Sequence, residues 1–237
     1  MNFLNFLYFL TISIFLFSCS NKQTQNIELK GNAMGTFYFI KLIDVPKKIK
    51  KEKLTLEINK TLLEINKIVS NWDSLSEISI LNNNKTLLPI KVSNNLLDVL
   101  KTANFIHIKS NGYFDITLDP IIDLWGFGYK KDKMKKKPPL KEDVLAKLSL
   151  VNQKKYLKIN QLNNELIKKN KDVSFNLSAI GKGYGIDLIG KKLKKLKINN
   201  FLINIGGDIL TNGYNSKKQD WVIGIENPNL QQQFIKE

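Results

Sequence analysis

The sequence contains no arginine, a single cysteine (Cys19) and a single histidine (His107). With one cysteine, neither a disulfide within the chain nor a cysteine-based metal cluster can form, so the fold must rely on its hydrophobic core. With one histidine, a histidine-rich zinc site is excluded. His107 falls on the apolar side of a helical pattern with Leu96, Leu100 and Ala103 and reads as half-buried packing. Nothing in the sequence supplies the carboxylate that a Ser-His-Asp triad would need beside it. Without arginine, all 37 cationic side chains are lysines, and the formal net charge is +16. Nucleic-acid binders normally use the planar guanidinium fork for base edges and stacking. Here the lysines are spread along a chain rich in Asn and Ile, a pattern of AT-rich coding. Nucleic acid is therefore not expected as a partner, while an anionic membrane surface or anionic substrate stays open.

Long apolar runs are missing except for Phe3 to Phe17, which is short for a membrane span and reads as a secretory h-region. It ends at Leu16-Phe17-Ser18-Cys19. This resembles a bacterial lipoprotein signal, with residues 1–18 as signal peptide and Cys19 as the lipidated first residue; an uncleaved N-terminal anchor is the alternative. Residues 19–30 are polar and read as a tether. Residues 31–237 then form one domain, long enough for a sizeable core.

Along that domain, Thr36 to Ile43 alternates as a strand. Lys47 to Val69 is helical, with Leu54, Ile58, Leu62, Ile65 and Val69 on one face. Ser70-Asn71-Trp72-Asp73 stops it. A second helix runs from Asn94 to Lys109 and ends at Asn111-Gly112. The segment from Gly112 to Gly128 is dense in aromatics, acids and glycines. There Asp115 could accept from a ring or ribose donor, and a hydrophobic hairpin with turn glycines would need the same residue types. The run Lys130 to Lys137 ends in Pro138-Pro139 and marks a solvated loop. A short helix over Lys141 to Leu148 precedes a hairpin from Tyr156 to Lys168, with its turn at Asn163-Asn164. Val173 to Leu177 reads as a strand, Ala179 to Lys195 as a helix, and Asn200 to Ile205 and Trp221 to Glu226 as strands. The sum is α+β, with helices packed on a mostly antiparallel sheet.

The most informative stretch is Phe175 to Asp208. Gly181, Gly183 and Gly185 sit where an extended segment turns into a helix, Lys182 lies among them, and Gly206-Gly207 closes the next strand. Glycines allow close backbone approach, a helix start offers N–H groups to anions, and lysine adds a point charge. The spacing fits neither G-x-G-x-x-G nor G-x-x-x-x-G-K-[ST]. The residues therefore support either a phosphate-handling turn or a helix start with small residues for close packing.

Several collinear motifs decide how these pieces are read together. They are Ala33-Met34-Gly35-Thr36, Trp72 through Ser76-Glu77-Ile78-Ser79 and Leu81-Asn82, Gly112 through Thr117, Leu124-Trp125-Gly126-Phe127-Gly128, Ser178-Ala179-Ile180-Gly181-Lys182-Gly183-Tyr184, Ile205-Gly206-Gly207-Asp208, and Trp221 with Gly224-Ile225-Glu226-Asn227-Pro228. In this order they resemble the FAD:protein FMN transferase (ApbE lipoprotein) family, from Gly31 to Pro228. The resemblance implies a T-fold-like flavin transferase domain that takes FAD as substrate with Mg²⁺. It implies transfer of FMN onto a Thr hydroxyl of an acceptor protein, with release of AMP. By position, Met34, Trp72, Tyr113, Phe114, Asp115, Asn176 and Lys182 are implied as FAD contacts, and the Ala179 carbonyl as a Mg²⁺ ligand. Asn176 stands where the family commonly has Asp. Implied partners are acceptor flavoprotein subunits of redox-driven membrane complexes. The implied location is the cell membrane or outer membrane, lipid-anchored and facing the periplasm or exterior. The family's later Thr-Ser-Gly strand, His-containing segment and Asp-Ala…Thr motif, which hold a flavin-contacting His and side-chain Mg²⁺ ligands, are not found after Pro228. A C-terminally truncated domain is therefore expected, either a transferase whose activity depends on the missing motifs or a non-catalytic flavin-binding or scaffold lipoprotein.

Overall fold

A computed structural model of the chain describes residues 23–128, 138–226 and 234–236. The signal peptide, Cys19, Lys130 to Lys137 and Asn227-Pro228 fall outside the described residues. The chain opens with β1 (Thr24–Ala33) and β2 (Thr36–Pro46), then α1 (Lys51–Val69), α2 (Glu77–Asn83), β3 (Ile90–Lys91) and α3 (Asn94–Lys109). A 3-10 turn (Ile116–Leu118) runs into α4 (Asp119–Leu124), followed by α5 (Lys141–Leu148), α6 (Gln153–Tyr156), β4 (Leu157–Asn160) and β5 (Glu165–Lys168). The last described elements are α7 (Ser178–Lys195), β6 (Asn200–Ile205), β7 (Asp208–Asn212), β8 (Gly224–Glu226) and β9 (Phe234–Lys236). The fold is α+β, as the periodicities predict.

The main sheet has four strands in the order β1-β2-β6-β7, and a smaller one runs β3-β5-β4. All their pairings are antiparallel. The polar segment expected as a tether is corrected from Thr24 onward. Thr24 to Lys30 belongs to β1 and pairs with β2, because Ile27 and Leu29 alternate with polar residues and bury against the sheet's core. Two hydrophobic cores result. One lies between the main sheet and the facing sides of α1 and α7, from Leu54, Ile58 and Leu62 to Ile186, Ile189 and Leu193. The other is mostly helical and gathers Ile65, Val69, Leu96, Leu100, Phe175 and Leu177. Met34 packs against both.

α1 and α7 run antiparallel. Position 181 faces Val69 and position 185 faces Ile65, while Lys192 at the far end reaches the Glu57 carboxylate at 2.7 Å. The molecule therefore has two poles. One holds the β1–β2 turn, the end of α1 and the start of α7. The other holds the end of β2, the start of α1 and the end of α7.

The expected strand from Val173 to Leu177 is an extended segment without sheet pairing. Its backbone is satisfied by buried side chains instead. Asn82 receives the Phe175 N–H at 2.8 Å and donates to the Phe175 carbonyl at 2.8 Å. Asn71 donates to the same carbonyl at 2.7 Å and accepts from the Leu177 N–H at 2.9 Å. The two amides thus replace a neighbouring strand, as the pairing of buried backbone groups demands. Lys168, fully buried, steadies the end of α2 by donating to the carbonyls of Leu81 (3.3 Å) and Asn84. Burial pushes its ammonium pKa down.

Candidate functional site

A cavity of about 640 Å³ opens at the first pole, between the β1–β2 turn, the segment after α1 and the start of α7. That volume lies within the usual range for small-molecule sites. Met34 and Gly35 form the two-residue turn closed by the Ala33–Thr36 pair, both with positive φ (54° and 74°). This is the geometry that matches hairpin twist. A methionine held there costs roughly 1 kcal/mol, a strain typical of ligand sites. Its side chain lies against α7. A Cβ at position 185 would sit 3.3 Å from the Met34 sulfur, and one at position 181 would sit 3.6 Å from its terminal methyl and 3.1 Å from Val69. Gly181 and Gly185 thus form a shelf, one helical turn apart, that lets the turn and α1 close on α7. Nothing lies within 4 Å of a Cβ at Gly183.

Of the two readings of the glycine stretch, the structure favours the helix start with small residues for close packing over the phosphate-handling turn. All three glycines lie inside α7, which starts at Ser178. The Ser178 N–H is taken by the Asn176 amide oxygen at 3.0 Å, and those of Ile180 and Gly181 by the Leu177 carbonyl at 3.0 and 2.8 Å. The role of receiving an anion passes to Lys182, which lines the cavity. Its ammonium donates to the Gly206 carbonyl at 3.2 Å and to Asp208 at 3.1 Å. Gly206 is needed there, because at its φ of 53° a Cβ would come within 2.6 Å of Thr36. Across the cavity stand Ser70, Asn71, Trp72 and Asp73. The Trp72 ring is 63% exposed at the rim and free to stack on a flat ligand.

Of the residues singled out by resemblance, Met34, Trp72 and Lys182 come together in this cavity, whereas Tyr113, Phe114, Asp115 and Asn176 are not among its lining residues. Asp115 caps the 3-10 turn. One carboxylate oxygen accepts from the Thr117 N–H (2.8 Å) and hydroxyl (2.5 Å), and the other from the Gln153 N–H (2.8 Å). His107 lies 3.7 Å from that second oxygen, and its Nδ1 is 2.7 Å from the Phe114 carbonyl. The carboxylate neighbour that the sequence did not reveal for His107 is thus Asp115. Tyr113 is 93% exposed, and Phe114 packs on the helical core. Asn176 joins this segment to the cavity's edge: its N–H donates to the Ile116 carbonyl at 2.7 Å, and its amide to Asp119 at 3.0 Å.

Among the described residues, no group of three His, Cys, Asp or Glu side chains could hold a metal ion. The Ala179 carbonyl lies in the exposed first turn of α7, beside lining residues Ser178 and Gly181. One backbone carbonyl is a poor Mg²⁺ site without further oxygen ligands. Sequence reasoning missed Asn71, Asp73 and Ser178 as lining residues. Ser70 to Asp73 read only as a helix stop, with Trp72 alone marked there by the resemblance.

The ApbE family model matches residues 34–237. The chain belongs to the ApbE family. It is 32% identical to a FAD:protein FMN transferase of Vibrio cholerae over 229 residues, covering 95% of this chain and 66% of that relative. It is 34% identical to the Haemophilus influenzae FAD:protein FMN transferase over 210 residues, covering 87% and 60%. The fold matches the solved flavin transferase ApbE from Vibrio cholerae with TM-score 0.82 and 31% identity, over 91% of this chain and 68% of that one. It matches the apo flavinyl transferase ApbE of Pseudomonas stutzeri with TM-score 0.79 and 26% identity, over 90% and 68%. The chain thus spans about two thirds or less of the length of the curated relatives named here.

Proposed function

We propose that this chain serves flavin transfer: it binds FAD and directs its FMN part onto a threonine hydroxyl of an acceptor protein, releasing AMP. The observation that carries this reading is the cavity joining Met34, Trp72 and Lys182, three positions the family resemblance marks as FAD contacts. In the reaction the threonine oxygen forms a new bond to the FMN phosphorus. The diphosphate P–O bond breaks, AMP leaves with that electron pair, and the hydroxyl proton goes to water.

The residues divide this work by their chemistry. Trp72 offers a face to the isoalloxazine ring, Met34 packs beneath it, and Lys182 offsets diphosphate charge from the edge of the cavity. Mg²⁺, with the Ala179 carbonyl as the residue that would help hold it, would supply charge neutralisation along the diphosphate. Tyr113, Phe114 and Asp115 lie on a second segment outside the cavity, where Asp115 holds the turn in place. The acceptors we propose are flavoprotein subunits of redox-driven membrane complexes, met on the outer side of a membrane that holds the chain by a lipid on Cys19.

Incubating the full chain with FAD, Mg²⁺ and such an acceptor domain tests this reading. Flavin fluorescence that stays on the acceptor through denaturation is the expected result. Flavin bound by the chain but never transferred would instead make it a flavin-binding scaffold, and absence of both would overturn the reading.

A further inference from the structure

The pole opposite the cavity carries an unexplained concentration of positive charge. Lys47, Lys48, Lys50, Lys51 and Lys53 are all exposed there, with Glu52 the only acid among them. They sit against the electrostatics of their own helix. Lys50 is the N-cap of α1 and makes no side-chain cap, and a helix N-terminus disfavours cations. The end of α7 adds Lys194, Lys195 and Lys197, all exposed, because the antiparallel packing with α1 brings them to the same pole. The nearby acids are already engaged: Glu57 pairs with Lys192 at 2.7 Å, and Asp44 pairs with Lys218. The charge at this pole is therefore largely unbalanced.

The first described residue lies in the same place. The Gln23 carbonyl accepts from the Lys47 N–H at 3.0 Å, and Thr24 pairs with Pro46. Cys19, the residue proposed above to carry a lipid, precedes Gln23 by only a few residues of sequence. A lipid joined this closely to a lysine cluster matches the two components, hydrophobic and electrostatic, that together hold a protein on a bilayer.

We propose that this lysine pole is a docking surface for an anionic lipid bilayer, and that it orients the cavity away from the membrane. β1 spans its ten residues from Gln23's neighbour Thr24 to Ala33, beside the cavity, so the two poles stand roughly 30 Å apart. The cavity mouth then faces acceptor domains that project from the bilayer while the lysines face headgroups.

Cosedimentation of the full chain with vesicles tests this, using phosphatidylcholine alone and phosphatidylcholine mixed with phosphatidylglycerol. The unaltered chain should partition more strongly onto the mixed vesicles, and added salt should remove the difference. Combined Lys47→Gln, Lys48→Gln, Lys50→Gln, Lys51→Gln and Lys53→Gln should lower partition onto the mixed vesicles by roughly ten-fold or more, leaving phosphatidylcholine binding unchanged. A control with Lys141, Lys147, Lys154, Lys158 and Lys171 changed to Gln should lower it by much less. Equal loss in the two sets would assign the effect to diffuse charge and overturn the proposal. So would equal partition of the unaltered chain onto both vesicle types, a result independent of whether any variant folds.

Discussion

Residues 173–182 and residues 112–117 share ingredients: glycine, an acid or amide, aromatic side chains and a short helical start. They use them differently. In the first segment buried amides from α1's end and α2 hold the backbone, and Lys182 further along lines the cavity. In the second, Asp115 spends both carboxylate oxygens on its own turn and on Gln153. The comparison teaches that a polar side chain is available to a ligand only where other groups satisfy the backbone around it. Asn71 and Asn82 free one segment for binding, while Asp115 is consumed in building the other.

The sharpest way to break this comparison is to remove the amides. Asn82→Ala strands the buried N–H and weakens the hold on the carbonyl of Phe175, and should cost about 3 kcal/mol, read as a lowered midpoint in urea unfolding. An unchanged midpoint would mean that the extended segment supports itself. Asp115→Ala should come next, at about 2 kcal/mol, since three part-buried donors lose their acceptor. It should weaken FAD binding chiefly through that loss of order, so binding measured well below the unfolding temperature should fall less than stability does.

Lys182→Ala should show the reverse split. Its pairing with Asp208 is partly solvent-exposed, so stability should shift by less than about 0.5 kcal/mol. FAD affinity, followed by flavin fluorescence quenching, should fall about ten-fold, the weight of one hydrogen bond to a charged group. If both variants behave alike, the two segments do not differ as described. The smallest effect belongs to Gly183→Ala. Nothing meets its Cβ, so helix propensity should raise stability by about 0.5–1 kcal/mol, seen as a small rise in thermal midpoint. The same change at Gly181 meets Val69 at 3.1 Å and should gain less or lose.

Much of the fold was legible because its elements carry clean periodicity. α1, α3 and β6 lie close to where their apolar repeats place them, and the hairpin of β4 and β5 turns at Asn163-Asn164. What misled was composition. Asparagine is so common here that Asn71 and Asn82 gave no signal as backbone partners, and Val173 to Leu177 passed for a strand. Polar residues before Lys30 passed for a tether because a strand half facing solvent is itself half polar. The glycines near Lys182 suggested a phosphate loop, since the same spacing serves a ligand or a close helix contact.

By itself the sequence determined the class of fold, the absence of disulfide support, the excess of lysine and, through its ordered motifs, the ApbE family. These depend on composition, period and order along the chain. Only the tertiary structure decided which residues share the cavity and which hold it up. It also decided that Gly181 and Gly185 serve Met34 and Val69, and that the lysines of α1's start and α7's end gather at one pole. The reason is physical. Local patterns fix which face of an element is buried, but the partner of a buried amide, and the side of the molecule on which a charge emerges, follow from how distant elements pack.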